Sequence, residues 1–172
     1  MLNMEFAMLD FIQKYLTSPI MDKIMVFITT LGNSGMIWII VALLMLCTRK
    51  YRKTGIVLAI GLILSLVLGN LILKPLFHRL RPFQVREGIS LLISAPHDFS
   101  FPSGHTLASV ISATILFIRE RKIGYCSIVL AILIAFSRMY LYVHFPTDIL
   151  GGAVLGVLIG ILSEKIAAKM RI

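Results

Sequence analysis

Charged side chains are scarce in this chain of 172 residues, and cysteine is almost absent. Asp, Glu, Lys and Arg make up 15% of the residues, while 58% are hydrophobic, against roughly 45–50% in soluble domains. This composition excludes a soluble enzyme and a disordered chain. Two cysteines, Cys47 and Cys126, are too few for an extracellular disulfide scaffold, and we expect both to be buried as small apolar residues. An integral membrane protein is the class that remains.

The sequence contains several long stretches without a charged residue. They run from Ile24 to Thr48, Thr54 to Leu73, Phe99 to Ile118, Ile123 to Ser137 and Ile149 to Ser163. Several are long enough to cross a bilayer core, which takes about 20 residues of helix. We therefore predict one all-α membrane domain over residues 1–172, a polytopic bundle with six transmembrane helices at 19–31, 36–48, 54–73, 104–118, 123–141 and 147–164. The first of these is short for a bilayer, so it needs its flanks or a place inside the bundle.

Residues 1–17 have the pattern of a surface helix. They lack the basic start and the small-residue cleavage site of a signal peptide. Phe6, Leu9, Ile12 and Leu16 recur instead at helical spacing, with charged residues between them. We predict an amphipathic helix that lies on the membrane surface.

Three glycines recur every four residues in the last predicted span, at Gly152, Gly156 and Gly160. This spacing puts them on one face of a helix, where a neighbouring backbone can approach closely. We interpret them as a packing face.

The formal net charge of +9 comes mainly from three basic clusters that flank the apolar stretches. They comprise Arg49, Lys50, Arg52 and Lys53; Arg119, Arg121 and Lys122; and Lys165, Lys169 and Arg171. Basic residues of this kind hold short loops on the cytoplasmic side of a membrane. With a cytoplasmic N-terminus, six spans place all three clusters inside and residues 32–35, 74–103 and 142–146 outside. The charge is therefore a topology signal and gives no support to a nucleic-acid partner.

Further basic residues fall on the predicted outer side, at Lys74, Arg79, Arg81, Arg86 and Arg138. Charges at membrane depth are costly, so a cluster of them requires a partner. The sequence places few carboxylates on that face, at Glu87, Asp98 and Asp148. We therefore expect unpaired cations whose counter-ion is an anionic ligand.

Three short strings accompany these cations, each at the outer end of a predicted span. They run from Lys74 to Pro82, from Phe101 to His105, and from Ser137 to Asp148. In the second string, Ser103 is suited to cap the following helix, and Gly104 lets an anion approach the backbone N–H groups at that helix start. In the third, Asp148 lies four residues after His144 and can reach back to it.

Together the strings resemble the three signature motifs of the type-2 phosphatidic acid phosphatase superfamily of membrane lipid phosphatases. These motifs read Lys, six residues, Arg-Pro; then Pro-Ser-Gly-His; then Ser-Arg, five residues, His, three residues, Asp; every position is present here. The resemblance implies that phosphate is bound by Lys74, Arg81, Ser103, Gly104 and Arg138. It also implies that His144 attacks phosphorus, that Asp148 orients His144, and that His105 protonates the leaving oxygen.

The resemblance further implies a hydrolase with no metal and no cofactor, in which positioning and electrostatics carry the reaction. We expect a lipid phosphatase of the cytoplasmic membrane, with its site facing outward in the 74–103 loop and a substrate that arrives through the lipid. Phosphatidylglycerophosphate or phosphatidic acid is the first candidate, cleaved through a phosphohistidine, and undecaprenyl diphosphate is the alternative. No obligate protein partner is inferred.

Other assignments stay open for some of these residues. Ser103 with a histidine and Asp148 has the residue types of an acyl-transfer triad, but no nucleophile elbow is present. His105, His144 and Asp148 have the types of a zinc site, which the surrounding cations would disfavour. A small lipid transporter or flippase is the non-enzymatic alternative, although its polar groups would lie near the membrane midplane.

Several residues near the motifs have no assigned role. His78 and His97 are interpreted as idle loop residues. Arg79 and Arg86 are either interfacial anchors or contacts to a headgroup or second phosphate. Residues 91–93 either dip into the membrane interface or pack against the protein.

Overall fold

The computed structural model describes residues 2–171, and over that range every regular element is helical, which confirms the all-α prediction. The helices are α1 (Leu2–Tyr15), α2 (Pro19–Leu31), α3 (Met36–Cys47), α4 (Arg52–Leu64), α5 (Lys74–Phe77), α6 (Pro82–Val85), α7 (Gly104–Arg119), α8 (Arg121–Tyr140) and α9 (Pro146–Lys169). A 3-10 turn over Asn33–Gly35 joins α2 to α3, and a π-helical segment over Ser65–Leu73 joins α4 to α5.

The starts of three helices follow from local sequence. Ser18 caps α2 by accepting a hydrogen bond from the backbone N–H of Met21 at 3.2 Å. Ser103 caps α7 in the same way, as predicted. Pro146 occupies the first turn of α9, where its missing N–H costs nothing. These two caps and the proline mark where a loop gives way to an apolar helix.

Helix α7 lies at the centre of the bundle, between α4, α8 and α9. The face of α9 that contains Gly152, Gly156 and Gly160 packs on α7, which confirms the predicted packing face. A Cβ added at Gly152 would come within 2.9 Å of the Ser103 carbonyl oxygen, and one at Gly160 within 2.8 Å of Thr114. The earlier glycine of α9 lies against the earlier residue of α7 and the later glycine against the later residue. Helices α7 and α9 therefore run parallel and begin at the same end of the bundle.

The three basic clusters share the opposite end of the bundle. The side-chain hydroxyl of Thr54, at the start of α4, donates to Glu120 at 3.2 Å in the turn between α7 and α8. Arg119 pairs with Glu164, near the end of α9, at 2.9 Å. These contacts bring the three cluster-bearing segments together, as the charge pattern predicted.

The six predicted spans are not confirmed. Among the described residues, three helical stretches are long and apolar enough to cross a membrane: Arg52–Val85, Arg121–Tyr140 and Pro146–Lys169. The pair α2–α3 meets the same test only when taken together, as one span bent by 45°. Helix α7 is apolar but shorter, with 16 residues.

The bent pair explains the difference from the prediction. Ser34 and Gly35 have φ values of 51° and 70°, which turn the chain sharply between the two helices. A bend of 45° changes the helix direction without reversing it. The predicted spans 19–31 and 36–48 therefore form one bent pair of helices that continues in one general direction, where the prediction had two separate crossings.

Helix α1 consequently lies at the end of the bundle opposite the basic clusters. The side-chain amide of Gln13 donates to the Tyr140 carbonyl at the end of α8, at 2.6 Å. Glu5 accepts a hydrogen bond from the Thr147 hydroxyl at the start of α9. The topology prediction put residues 2–15 on the side of the basic clusters and is wrong for this helix, because it counted α2 and α3 as a hairpin.

Helix α1 has two sets of apolar side chains, one buried against the protein and one exposed. The predicted face, with Phe6, Leu9 and Ile12, is buried against the rest of the protein. Large apolar side chains are exposed elsewhere on the helix, at Met4, Met8, Phe11 and Tyr15. These four recur at helical spacing and form an exposed stripe on a different face from the predicted one.

Both cysteines are exposed, so the prediction that they are buried is wrong. Cys47 ends α3 and Cys126 lies in the first part of α8, each on a face that no other helix covers. Hydropathy alone does not tell which face of an apolar helix is turned toward the protein.

Candidate active site

Six of the predicted site residues line one cavity of about 700 Å³, at the end of the bundle where α7 and α9 begin. They are Lys74, Arg81, Gly104, His105, Arg138 and His144. Three cations and two imidazoles from distant parts of the chain therefore converge on one space. This is the arrangement that the three sequence strings predicted.

The ends of helices supply these side chains. Lys74 begins α5, and Arg81 immediately precedes α6. His105 is the second residue of α7, and Arg138 lies in the last turn of α8. His144 lies in the short junction before α9. The N-terminus of α7 thus faces the cavity, and its dipole adds to the positive potential there.

A carboxylate bridges two of the cations. Asp98 forms an ion pair with Lys74, and its Oδ1 lies 2.7 Å from Nη2 of Arg81. Burial acts to raise the pKa of Asp98, but the hydrogen bond and charge of Lys74 and the charge of Arg81 lower it to about 2. The expectation of unpaired cations is therefore wrong for Lys74 and Arg81.

His144 is almost completely buried, and both of its ring nitrogens have polar neighbours. Its Nε2 lies 3.1 Å from Nη1 of Arg81, on the cavity side, and its Nδ1 faces Asp148. Burial first, and then the positive charges of Arg81 and Arg138, hold the pKa of His144 well below its usual range. The imidazole is therefore neutral near pH 7, which is the form that carries a nucleophilic lone pair.

Asp148 lies behind His144 and is buried. Its Oδ2 is 3.4 Å from Nδ1 of His144 and accepts the backbone N–H of Phe145 at 2.8 Å. The hydroxyl of Ser100 donates to the same oxygen at 2.5 Å and lies 3.4 Å from Nδ1. Ser100 therefore completes the surroundings of the imidazole, a position that sequence analysis missed.

Ser103 and Gly104 contribute differently to the cavity. Ser103 is buried, and its Oγ accepts from the Thr106 hydroxyl at 3.1 Å, so it is not among the cavity-lining residues. Its role in phosphate binding remains a prediction. Gly104 does line the cavity, and an added Cβ there would lie 3.6 Å from Nζ of Lys74. The absence of a side chain at Gly104 keeps the backbone open to a ligand.

The bent pair α2–α3 reaches the cavity at its kink. Asn33 places its Oδ1 3.1 Å from Nε2 of His105. The Thr29 hydroxyl accepts from Nη1 of Arg138 at 2.6 Å. Nε of Arg138 is buried and has no hydrogen-bond partner within residues 2–171. Thr29 and Asn33 were not singled out in the sequence, because no motif includes them.

The two arginines without an assigned role both contact α1. Arg79 pairs with Glu5 at 2.7 Å and with Asp148 at 2.5 Å. Arg86 pairs with Asp10 at 2.6 Å and stacks on the ring of Phe6. The carboxylates of α1 were not assigned to this end of the molecule, because the predicted topology placed α1 at the other end.

The remaining sequence candidates lie outside the cavity or line its edge. His78 and His97 are exposed and are not among the cavity-lining residues. Leu92 and Ile93 line the cavity, and Ile93 also packs against the buried cluster around Tyr140. In the described part of the chain, no three His, Cys, Asp or Glu side chains are arranged to hold a metal ion.

A second cavity, of about 570 Å³, is mostly apolar and adjoins the first. Both are lined by Lys74, Asp98, Gly104 and His105. The apolar part lies between α3 and the α4–π segment, and its lining includes Ile39, Leu43, Leu46, Leu62, Ile63 and Leu66. A polar chamber with cations and histidines therefore opens into an apolar groove.

Comparison with known proteins agrees with this geometry. The family model of the PAP2 superfamily matches residues 54–171. An undecaprenyl-diphosphatase of Sulfolobus acidocaldarius is 36% identical over 85% of this chain and 70% of its own length. The crystal structure of Aquifex aeolicus LpxE has a TM-score of 0.80 and 30% identity, covering 93% of this chain and 94% of that one. That of a phosphatidylglycerolphosphate phosphatase from Bacillus subtilis has a TM-score of 0.78 and 29% identity, covering 97% and 86%.

The fold and the site thus define a membrane lipid phosphatase, an enzyme that hydrolyses phosphoric esters or diphosphates. The chain belongs to the PAP2 superfamily.

Proposed function

We propose that the enzyme removes a terminal phosphate from a membrane lipid through a covalent intermediate on His144. The observation that carries this proposal is the orientation of one imidazole. Nε2 of His144 lies 3.1 Å from Nη1 of Arg81, one of the cations that line the cavity, while Nδ1 faces the buried carboxylate of Asp148, which does not line it. Such an arrangement keeps the lone pair on the side where phosphorus would bind.

The phosphate would bind among Lys74, Arg81 and Arg138, with the backbone N–H groups of Gly104 and His105 as further donors. Three positive charges in a partly buried chamber stabilise the charge that spreads over the phosphoryl oxygens during transfer. The buried, unpartnered Nε of Arg138 supports this position for the anion. Ser103 is retained as a proposed phosphate contact, on the motif alone.

Two chemical steps follow. First, Nε2 of His144 attacks phosphorus, the bond between phosphorus and the lipid oxygen breaks, and His105 gives its proton to that oxygen. Then His105 takes a proton from water, the water oxygen attacks phosphorus, and the P–N bond breaks. Inorganic phosphate leaves and His144 is restored. Asp148 orients His144 and stabilises its positive charge in the intermediate, and no metal or cofactor takes part.

A lipid fits the two connected cavities better than a soluble ester. The headgroup phosphate would occupy the polar cavity, while the acyl or polyprenyl chain would lie in the apolar groove along Leu43 and Leu66. Phosphatidylglycerophosphate or phosphatidic acid is the proposed substrate. Undecaprenyl diphosphate is the second candidate, which the 36% identity to an undecaprenyl-diphosphatase favours.

In the membrane, we propose five passages, formed by α2–α3, the α4–π segment, α7, α8 and α9. Helix α1 would lie in the interface with Met4 and Phe11 toward lipid. The basic clusters would face the cytoplasm, so the active site would open to the outer side of the cytoplasmic membrane. The residues 74–103 would form the outer active-site loop of a single domain, with no protein partner required.

The test is phosphate release by the purified protein from a panel of phosphatidylglycerophosphate, phosphatidic acid and undecaprenyl diphosphate. We expect turnover with at least one of them, and none with His144→Ala. His97→Ala is the matched control, because His97 is exposed and lies outside the cavity. Wild-type turnover by the His144 variant would disprove the nucleophile assignment, and no release from any of these lipids would disprove the substrate class.

A further inference from the structure

The orienting carboxylate of the proposed site is held by a cation that is itself held by α1. Nη1 of Arg79 lies 2.5 Å from Oδ1 of Asp148, and Nη2 of the same guanidinium lies 2.7 Å from Oε2 of Glu5. The Thr147 hydroxyl is hydrogen-bonded to both Arg79 and Glu5. Asp148 and Glu5 are almost completely buried, whereas Arg79 is 27% exposed.

The two oxygens of Asp148 have separate partners. Oδ2 faces His144, Ser100 and the backbone N–H of Phe145. Oδ1 faces Arg79. Arg79 therefore holds the side of the carboxylate that points away from the imidazole, which fixes its rotation while leaving Oδ2 for His144.

We propose that Arg79 and Glu5 are positioning residues for His144 that act through Asp148, so that α1 is a functional part of the active site. This inference rests on the proposed function, in which His144 is the nucleophile. Arg79 fixes the carboxylate, and Glu5 in turn fixes Arg79 and offsets part of its positive charge. Neither residue touches the cavity, so both act at a distance from the substrate.

Arg79 and Glu5 have opposite charges, so removing one or the other is expected to shift the pKa of His144 in opposite directions. Without the cation of Arg79, Asp148 acts more strongly on His144 and favours the protonated imidazole. Without the anion of Glu5, the cation of Arg79 is less balanced and disfavours it. The other charged or titratable groups that face His144 are Lys74, Arg81, Asp98, His105 and Arg138. These groups remain in place in both variants, so a shift in the pKa of His144 is attributable to the contacts that link Glu5 and Arg79 to Asp148.

The experiment is the pH dependence of kcat/KM between pH 3.5 and 8, measured on short-chain phosphatidic acid in detergent micelles. The acid limb reports the loss of the neutral His144. Because the variants share one substrate, the titration of its phosphate group cancels in the comparison. We expect Arg79→Gln to move the acid limb to higher pH and Glu5→Gln to move it to lower pH, each by about half a pH unit.

The control is Arg86→Gln. Arg86 also links the 74–103 loop to α1, through Asp10 and Phe6, but it makes no contact with Asp148. We expect its acid limb to stay at the wild-type pH. Shifts in the same direction for Glu5→Gln and Arg79→Gln, or shifts no larger than that of Arg86→Gln, would reduce the role of both residues to structural support and overturn the proposal.

Two further variants cover a charge variant that fails to fold and separate this proposal from the proposed function. Should a charge variant fail to yield monodisperse protein, Thr147→Val removes the hydroxyl that joins Glu5 to Arg79 without changing charge. We expect a several-fold loss of kcat with KM unchanged, and wild-type kcat would contradict the inference. His144→Ala in the same assay separates the two proposals. The activity of this variant tests whether His144 is the nucleophile. If His144→Ala is inactive but the acid limbs of Arg79→Gln and Glu5→Gln do not move, only the role of Glu5 and Arg79 is overturned.

Discussion

Oδ1 of Asp98 lies 2.7 Å from Nη2 of Arg81, and the same carboxylate pairs with Lys74. Two of the three cations proposed for phosphate binding are therefore already paired with an anion of the loop before α7. The side chain of Asp98 is 52% exposed, so it can leave these cations without crossing a packed core. A phosphate group that binds Lys74 and Arg81 has to compete with this carboxylate.

Replacing Asp98 by asparagine is expected to strengthen the binding of free anions. The amide keeps the size of the side chain but removes the charge that competes for Lys74 and Arg81. Inorganic phosphate should then inhibit at a concentration lower by about three- to tenfold, which corresponds to roughly 1 kcal/mol. Glu87→Gln is the control, because Glu87 is an exposed carboxylate of the same loop and has no ion pair among the described residues. Equal inhibition constants for wild type and Asp98→Asn would contradict the competition.

Asp98 also predicts a dependence of stability on pH. Its pKa falls from 3.8 to about 2 on folding, so its ionised form stabilises the folded protein above about pH 3.8. This contribution is lost as the pH falls through 2. In detergent micelles, the difference in Tm between wild type and Asp98→Asn should be constant above pH 5 and should decrease between pH 4 and pH 2. A difference that persists unchanged at pH 2 would refute the assignment.

Asp148→Asn is expected to lower turnover while leaving substrate affinity intact. Oδ2 of Asp148 lies 3.4 Å from Nδ1 of His144, where the proposed function has it orient the imidazole, and Asp148 does not line the cavity. The amide cannot enforce the same tautomer of His144, and a comparable change in a serine protease triad costs about 10⁴-fold in kcat. We expect a loss of at least 10²-fold here. Steady-state kinetics should show KM within about twofold of wild type, and a loss confined to KM would argue against the orienting role.

Addition of a chelator should not change the activity. In the proposed function, the negative charge of the phosphate is opposed by Lys74, Arg81 and Arg138, which all line the polar cavity. Side chains of fixed charge need no divalent ion to stabilise a phosphoryl group. Phosphate release should therefore be the same with EDTA and with added Mg²⁺ or Zn²⁺. A requirement for either ion would show that the cations alone are insufficient.

The sequence was a good guide to the helices but not to how they cross the membrane. The predicted span 19–31 coincides with α2, and 36–48 differs from α3 by one residue. Whether two short apolar helices form a hairpin or one bent passage depends on the backbone angles of the turn between them. Those angles, at Ser34 and Gly35, leave no trace in hydropathy. Because the prediction had the chain reverse its direction between these two helices, it placed α1 at the wrong end of the molecule.

The motif residues of the site were predicted, whereas their partners were not. A short string fixes the spacing of His144 and Asp148, because Asp148 lies in the first turn of α9 and His144 lies just before that helix. Ser100 reaches Asp148 across 48 residues of sequence, and Glu5 reaches Arg79 across 74. Pairings over such distances depend on how the helices pack, and no local pattern contains that information.

Gly152→Ala is expected to lower both stability and activity. The added Cβ would lie 2.9 Å from the carbonyl oxygen of Ser103, a backbone atom that also accepts the N–H of Leu107 at the start of α7. Relief of this contact requires α7 to move, and overpacking of this kind costs about 1–3 kcal/mol. Because His105 lies two residues after Ser103, the displacement should also reduce kcat. Thermal unfolding and phosphate release in micelles measure the two effects.

Gly160→Ala separates stability from catalysis. Its Cβ would lie 2.8 Å from Thr114 on the same pair of helices, two helical turns farther from the cavity. The cost in stability should resemble that of Gly152→Ala, because both substitutions push α9 away from α7. The activity per folded molecule should stay near the wild-type value, since the start of α7 and His105 are not displaced. Equal losses of kcat in the two variants would mean that the whole α7–α9 contact, rather than its end at the cavity, sets the geometry of the site.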